Sequence, residues 1–140
     1  SLLEEVYQKC IFFEHGRAGG CFDRGNCRID FHAHLHALPV DVDISDRIAE
    51  DFQQIQIDSW HDIVPLAEEY PEYLYFENSN EEQYFYVVEG TAEDQYLRKR
   101  VCESIDLPVE YANWRQHPFH DTMIQTIDQL QNRMREVDLQ

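Results

Sequence analysis

The chain opens with a helical pattern and changes period within ten residues. In LLEEVYQKC, Leu2, Leu3, Val6 and Tyr7 fall at helical spacing, which predicts a short amphipathic helix over residues 2–9. Cys10 to Glu14 is a continuous apolar and aromatic run with the composition of a strand, stopped at Gly16. Gly16, Gly19, Gly20 and Gly25 then mark a loop able to make tight backbone turns. Beyond it, over residues 29–38, the pattern alternates strictly: Phe31, Ala33, Leu35 and Ala37 interleave with His32, His34 and His36. Successive strand side chains point to opposite faces, so this segment predicts a strand with three imidazoles in a row on one face. On a helix the same three would fan out. Strands 10–14 and 29–38 are expected to pair antiparallel, with the glycine loop at one end, so that loop and histidines share a site.

Past Pro39, Ser45 is expected to cap a helix that buries Ile48, Ala49 and Phe52, with Asp46 at its positive end. YLYFENSNEEQYFYVVEG predicts a hairpin, two aromatic and β-branched runs around an Asn-Ser-Asn-Glu turn. Thr91 is expected to cap a helix reaching about Ile105, and Pro108 to Pro118 reads as a connector carrying Trp114. From Asp121 to Val137 a fourth helix carries Met123, Ile124, Ile127, Leu130 and Met134 as a stripe suited to core or dimer packing rather than to a cofactor. No repeat, low-complexity tract or linker divides the chain. The expectation is one α+β domain over residues 1–140, an antiparallel sheet containing the histidine strand with helices packed around it.

Composition narrows the partners. At 140 residues, 43% hydrophobic and 13% aromatic, the chain can bury a proper core. Its 28 acidic residues against 11 basic ones give a formal net charge of -17, a field that repels long nucleic acid and anionic membrane surfaces. Three of the basic residues, Arg17, Arg24 and Arg28, nevertheless sit in the glycine loop, where short-range attraction could hold a small phosphorylated molecule. No apolar run approaches the ~20 residues of a membrane span, and the acidic N-terminus is no signal peptide, so a cytoplasmic chain is expected. Cys10, Cys21, Cys27 and Cys102 then read as cytosolic thiols, and Cys21 and Cys27 are too widely spaced for a zinc knuckle. The leading Ser1, in place of Met, suggests a processed or incomplete chain.

Histidine can attack as a nucleophile, carry a proton or bind a metal. Polar decoration of a half-exposed strand would account for a lone histidine, whereas three in strict alternation ahead of Leu38-Pro39 point to a reaction centre. The glycine loop before them frees backbone N–H groups that can point at an anion.

The run His32-Ala33-His34-Leu35-His36-Ala37-Leu38 fits all seven positions of His-φ-His-φ-His-φ-φ, φ being apolar, and resembles the histidine-triad (HIT) family of nucleotide hydrolases and nucleotidyl transferases. The preceding strand, the glycine loop and Pro39 resemble the family too, over residues 10–39. QYLRKRVCESIDLP and NWRQHPFHDTMIQTIDQL look like the C-terminal helices of extended bacterial members. The resemblance implies an α+β, HIT-like antiparallel β-sheet with packed helices. The family usually opens with strands that form the nucleobase pocket, whereas residues 1–140 start at what resembles the helix after them, so either the family's N-terminal strands are missing or the pocket is built differently. Residues 91–140 correspond to a C-terminal helical extension. His34 corresponds to the nucleophile that attacks the α-phosphorus and forms a nucleotidyl-histidine, His36 to a ligand of the phosphate oxygens, and His32 to a residue that supports the row or helps protonate the leaving group. Gly19, Gly20, Arg28, His36 and Arg98 are the implied phosphate-binding residues. Gln95 and Lys99 fall near Arg98, although an exposed amphipathic helix would account for all three. Where the family tends to have Asn near the end of the strand before the loop, this chain has Glu14 and His15.

The implied substrate is a small nucleotide or dinucleotide, turned over without cofactor or metal by a homodimer. Two other readings stand beside this one. His-x-His-x-His with Glu14 or an aspartate could hold Zn²⁺, Fe²⁺ or Mn²⁺ in a cupin-like manner. A HIT-like domain could also bind a nucleotide or a protein without turnover. His61, His117 and His120 are isolated and read as surface or supporting residues.

Overall fold

The computed structural model describes residues 2–7, 9–17, 23–24, 27–28 and 34–138. In chain order its elements are α1 (Leu2–Tyr7), β1 (Ile11–Arg17), β2 (Asp23–Arg24), β3 (Cys27–Arg28), β4 (His36–Leu38), α2 (Ser45–Ala49), β5 (Gln53–Ile57), α3 (Ile63–Glu69), β6 (Glu72–Glu77), β7 (Gln83–Val87), α4 (Tyr96–Ser104) and α5 (His120–Asp138). Strands β4-β1-β6-β7-β5, in that order, make a five-stranded sheet in which every pairing is antiparallel. β2 and β3 pair apart from it as a two-residue ribbon. The expected α+β architecture is therefore present. Among the described residues no helix is long and apolar enough to cross a membrane.

The two-residue period of the strands gives the sheet two apolar faces. On one, Ile11 and Phe13 of β1, Leu74 and Phe76 of β6 and Tyr86 of β7 pack with Ile44, Ile48, Ala92, Tyr96, Leu97 and Val101, the buried sides of α2, α4 and their approaches. On the other, Tyr73, Tyr75, Phe85 and Val87 pack under Ile63, Leu66 and Ala67 of α3. Phe13, Tyr75, Phe76, Phe85 and Tyr86 are almost wholly enclosed. Each such ring contributes roughly 1.5–3 kcal/mol on leaving water, which makes this aromatic centre the main source of stability.

The hairpin forms where expected, between β6 and β7. Asn78 explains its turn: buried, it accepts the N–H groups of Asn80 and Glu82 at its Oδ1, while its Nδ2 donates to Asp43 and Glu82. One polar side chain thereby adds to the backbone bonds of Asn78 with Glu82 and Glu81 and ties the turn to the segment before α2.

Several elements differ from expectation for identifiable reasons. β1 does not stop at Gly16 but runs through it, paired with Tyr73 of β6. A Cβ at Gly16 would stand 2.1 Å from Cζ of Tyr73, so the glycine makes room for that ring inside the strand. Ser45 is not the cap of α2 but its first residue, and Asp43 accepts its backbone N–H at 2.9 Å. The helix ends at Ala49, and the alternation of QQIQI makes the next segment edge strand β5. α4 starts at Tyr96, behind a left-handed Gln95 (φ 63°), rather than at Thr91. The histidine strand is shorter than residues 29–38: β4 begins at His36, His34 and Leu35 lead into it irregularly, and residues 29–33 lie outside the described residues. Its antiparallel pairing with β1 is as expected, Phe13 opposite His36 and Ile11 opposite Leu38.

Candidate functional site: a histidine pair and an arginine

The register of β4 on β1 decides which way the histidines face. With Phe13 opposite His36, both side chains stand on the face that carries Ile11, Leu74 and α4. The His36 ring stacks on Phe13, centroids 5.0 Å apart and planes at 28°. His34, two residues earlier, meets His36 edge to face at 4.7 Å. Two members of the histidine row are therefore in contact; His32 lies outside the described residues.

From the far side of this face α4 delivers Arg98. Its Nη2 lies 3.5 Å from His36 Nδ1, a long contact at the limit of a hydrogen bond. A guanidinium can only donate, so Nδ1 presents its lone pair and Nε2 carries the ring proton. Burial first, and then the positive charge of Arg98 and the neighbouring His34, together push the His36 pKa down from 6.5 to about 4. His36 is thus neutral near pH 7. Burial lowers the Arg98 pKa as well, though an arginine keeps its charge at any ordinary pH.

Arg98 is set apart from its neighbours. Lys99 and Arg100 both pair with Glu93, and Arg100 with Glu103. Arg98 has no carboxylate partner among the described residues, although it is half-buried. Cations in the first turn of a helix also work against the helix dipole, so this arginine gains nothing from its place in α4. A retained positive charge against one of two touching imidazoles, with no carboxylate counter-ion among the described residues, makes an arrangement that an anion would complete.

The other expected site residues are placed as follows. Gly19 and Gly20 fall outside the described residues. Arg28 belongs to β3, in the ribbon apart from the main sheet. Lys99 is engaged with Glu93. His61 and His120 are exposed, His117 lies against Tyr111 and Phe119, and Trp114 is exposed with Arg115 over its ring. Among the described residues no group of three or more His, Cys, Asp or Glu side chains is placed to hold a metal ion. Cys10 and Cys102 are buried.

Phe13 and the pair His15–Glu72 escaped the sequence reading. The alternation of β1 contained the signal, since Ile11, Phe13 and His15 share the face on which the histidine row stands. His15 Nε2 lies 2.9 Å from Glu72 Oε1, and that same oxygen accepts the backbone N–H of Ala92. No family model, no curated protein and no solved structure matches the chain.

Proposed function

We propose that the chain is a histidine-triad-like enzyme, a hydrolase or nucleotidyl transferase acting at the α-phosphate of a small nucleotide conjugate. The observation that carries this reading is the seven-residue motif with two of its histidines in contact and an arginine without a carboxylate partner among the described residues facing them. In the first step His34 attacks phosphorus with a ring-nitrogen lone pair. A phosphorus–nitrogen bond forms, the bond to the leaving group breaks, and its electron pair departs with that group. In the second step water attacks the nucleotidyl-histidine and the P–N electron pair returns to His34. Neutral His36, its Nε2–H outward, donates to a phosphate oxygen, and Arg98 offsets the negative charge. Gly19, Gly20 and Arg28 complete the phosphate site in this reading, and His32 supports the row. We place the enzyme in the cytoplasm as a homodimer, with the exposed apolar residues of α5 as its seam.

The test is the covalent intermediate. Wild-type protein given a nucleoside phosphoramidate and quenched in base should carry one nucleotidyl group, mapped to His34 by mass spectrometry and lost in acid. His34→Ala, shown folded by circular dichroism, should carry none and lose turnover by several powers of ten. Undiminished turnover in His34→Ala defeats the reading. Turnover abolished by chelator and restored by Zn²⁺ or Mn²⁺, without adduct, supports a metal centre instead. Nucleotide binding without turnover supports a non-catalytic domain.

A further inference from the structure

We propose that His15, oriented by Glu72, is the proton-transfer residue of this site, a proposal that rests on the histidine-triad reading. His15 stands on the same face of β1 as Phe13, about 7 Å further along the strand by the ordinary rise of two residues. Phe13 carries the His36 ring, and β4 runs antiparallel to β1. β4 begins at His36, so the register itself stops there, but the chain enters β4 through His34 from the end of β1 at which His15 stands. The side chain next along the face from the nucleophile's neighbour is therefore another imidazole.

Glu72 fixes its orientation. Its Oε1 accepts from His15 Nε2 at 2.9 Å and from the backbone N–H of Ala92 at 3.1 Å, so the carboxylate is anchored to the main chain. Both side chains are largely covered, at 24% and 14% exposure. With Nε2 held, Nδ1 is the ring nitrogen left for proton exchange, and among the described residues it has no partner. A carboxylate behind an imidazole sets its tautomer and stabilises the imidazolium when it forms, as a carboxylate does behind a catalytic histidine elsewhere.

The protons balance over one cycle. Protonated His15 gives its Nδ1 proton to the leaving atom as the bond to phosphorus breaks. Neutral His15 then takes a proton from the attacking water through the same nitrogen, and the nucleotide leaves His34 with the water oxygen. His15 ends protonated, as it began, and no outside acid or reductant is needed.

Leaving groups of different basicity separate proton transfer from mere packing. A nucleoside p-nitrophenyl phosphate expels a phenolate that needs no proton, whereas an alkyl phosphoramidate must expel a protonated amine. His15→Gln keeps an N–H for Glu72 but cannot exchange protons. It should release nitrophenolate in its first turnover within a few-fold of the wild-type rate, and cleave the phosphoramidate about 10²- to 10³-fold more slowly. It should also accumulate the nucleotidyl-His34 adduct, because water is no longer deprotonated. Glu72→Gln should shift both rates in the same direction by less. Equal losses on the two substrates, or no loss on either, overturn the role of His15 while leaving the His34 reading intact. No adduct in the wild-type protein overturns both.

Discussion

At the scale of single residues, His36 has the most to report. Its folded pKa of about 4 lies below the ordinary 6.5, so between these values the unfolded chain binds the proton that the folded chain refuses. The contribution of His36 to stability is whole above pH 6.5 and is lost as the pH falls toward 4. Following the His36 ring by NMR should give a midpoint near 4. Removing the nearby charge in Arg98→Gln should raise it toward 6.5 without reaching it, since burial is the larger cause and remains. The same variant should bind inorganic phosphate about 10- to 100-fold more weakly, the usual loss of a charged hydrogen bond. An unmoved midpoint would mean that Arg98 does not face the ring in solution. His34 and His36 were legible from the chain because a strand's period dictates their common side. That Arg98, unlike Lys99 and Arg100, has no carboxylate partner among the described residues was not, because the pairing of those two with Glu93 depends on where α4 begins.

At the scale of elements, β1 and its neighbours show what alternation reveals and what it hides. The hairpin of β6 and β7 was readable because aromatic alternation and an Asn-rich turn agree. β5 was not, because the expected helix was carried on to Phe52 and no element was read beyond it; Gln54 of β5 turns inward to Tyr86. β1 was cut short at Gly16 because a glycine usually ends a strand, and only the cross-strand ring explains its presence. Tyr73 cannot easily yield: it stacks on Phe85 at 4.9 Å, and its hydroxyl donates to buried Glu14 at 3.0 Å. Gly16→Ala should therefore destabilise the protein by about 1–3 kcal/mol in urea unfolding, the usual cost of overpacking. The penalty should shrink in a Tyr73→Leu background; an equal penalty there would trace it to the backbone instead. The α5 stripe, read as core or dimer packing, is not core within the chain. Met123, Ile124, Ile127 and Met134 are each 44–53% exposed, and α5 meets α1 through Tyr7–Gln129 and Glu5–Arg133.

At the scale of the whole molecule, charge and site oppose each other. A formal charge of -17 repels an approaching phosphate at long range, while Arg98 attracts it at contact. Salt screens the long-range field first, since the Debye length is only about 8 Å at 0.15 M. For an anionic nucleotide substrate kcat/KM should accordingly rise between 10 and 150 mM salt, and more steeply for a dinucleotide polyphosphate than for a monophosphate. A monotonic fall would mean that local positive charge governs encounter instead. Composition disclosed this balance in advance, but the division of the sheet into two cores required the register of every strand.

Arg98 meets His36 from 62 residues further along the chain, and this sets a clock on the assembly of the site. A chain emerging from the ribosome shows its whole histidine motif once Pro39 is out. At that moment β1 has its β4 neighbour within reach but lacks β6, which forms its other side, and α4 has not been synthesised. The imidazoles of the nascent chain then face water. Only when the hairpin has inserted and α4 has docked do His36 and Arg98 meet. The contact of His36 with Arg98 cannot form before α4 has left the ribosome.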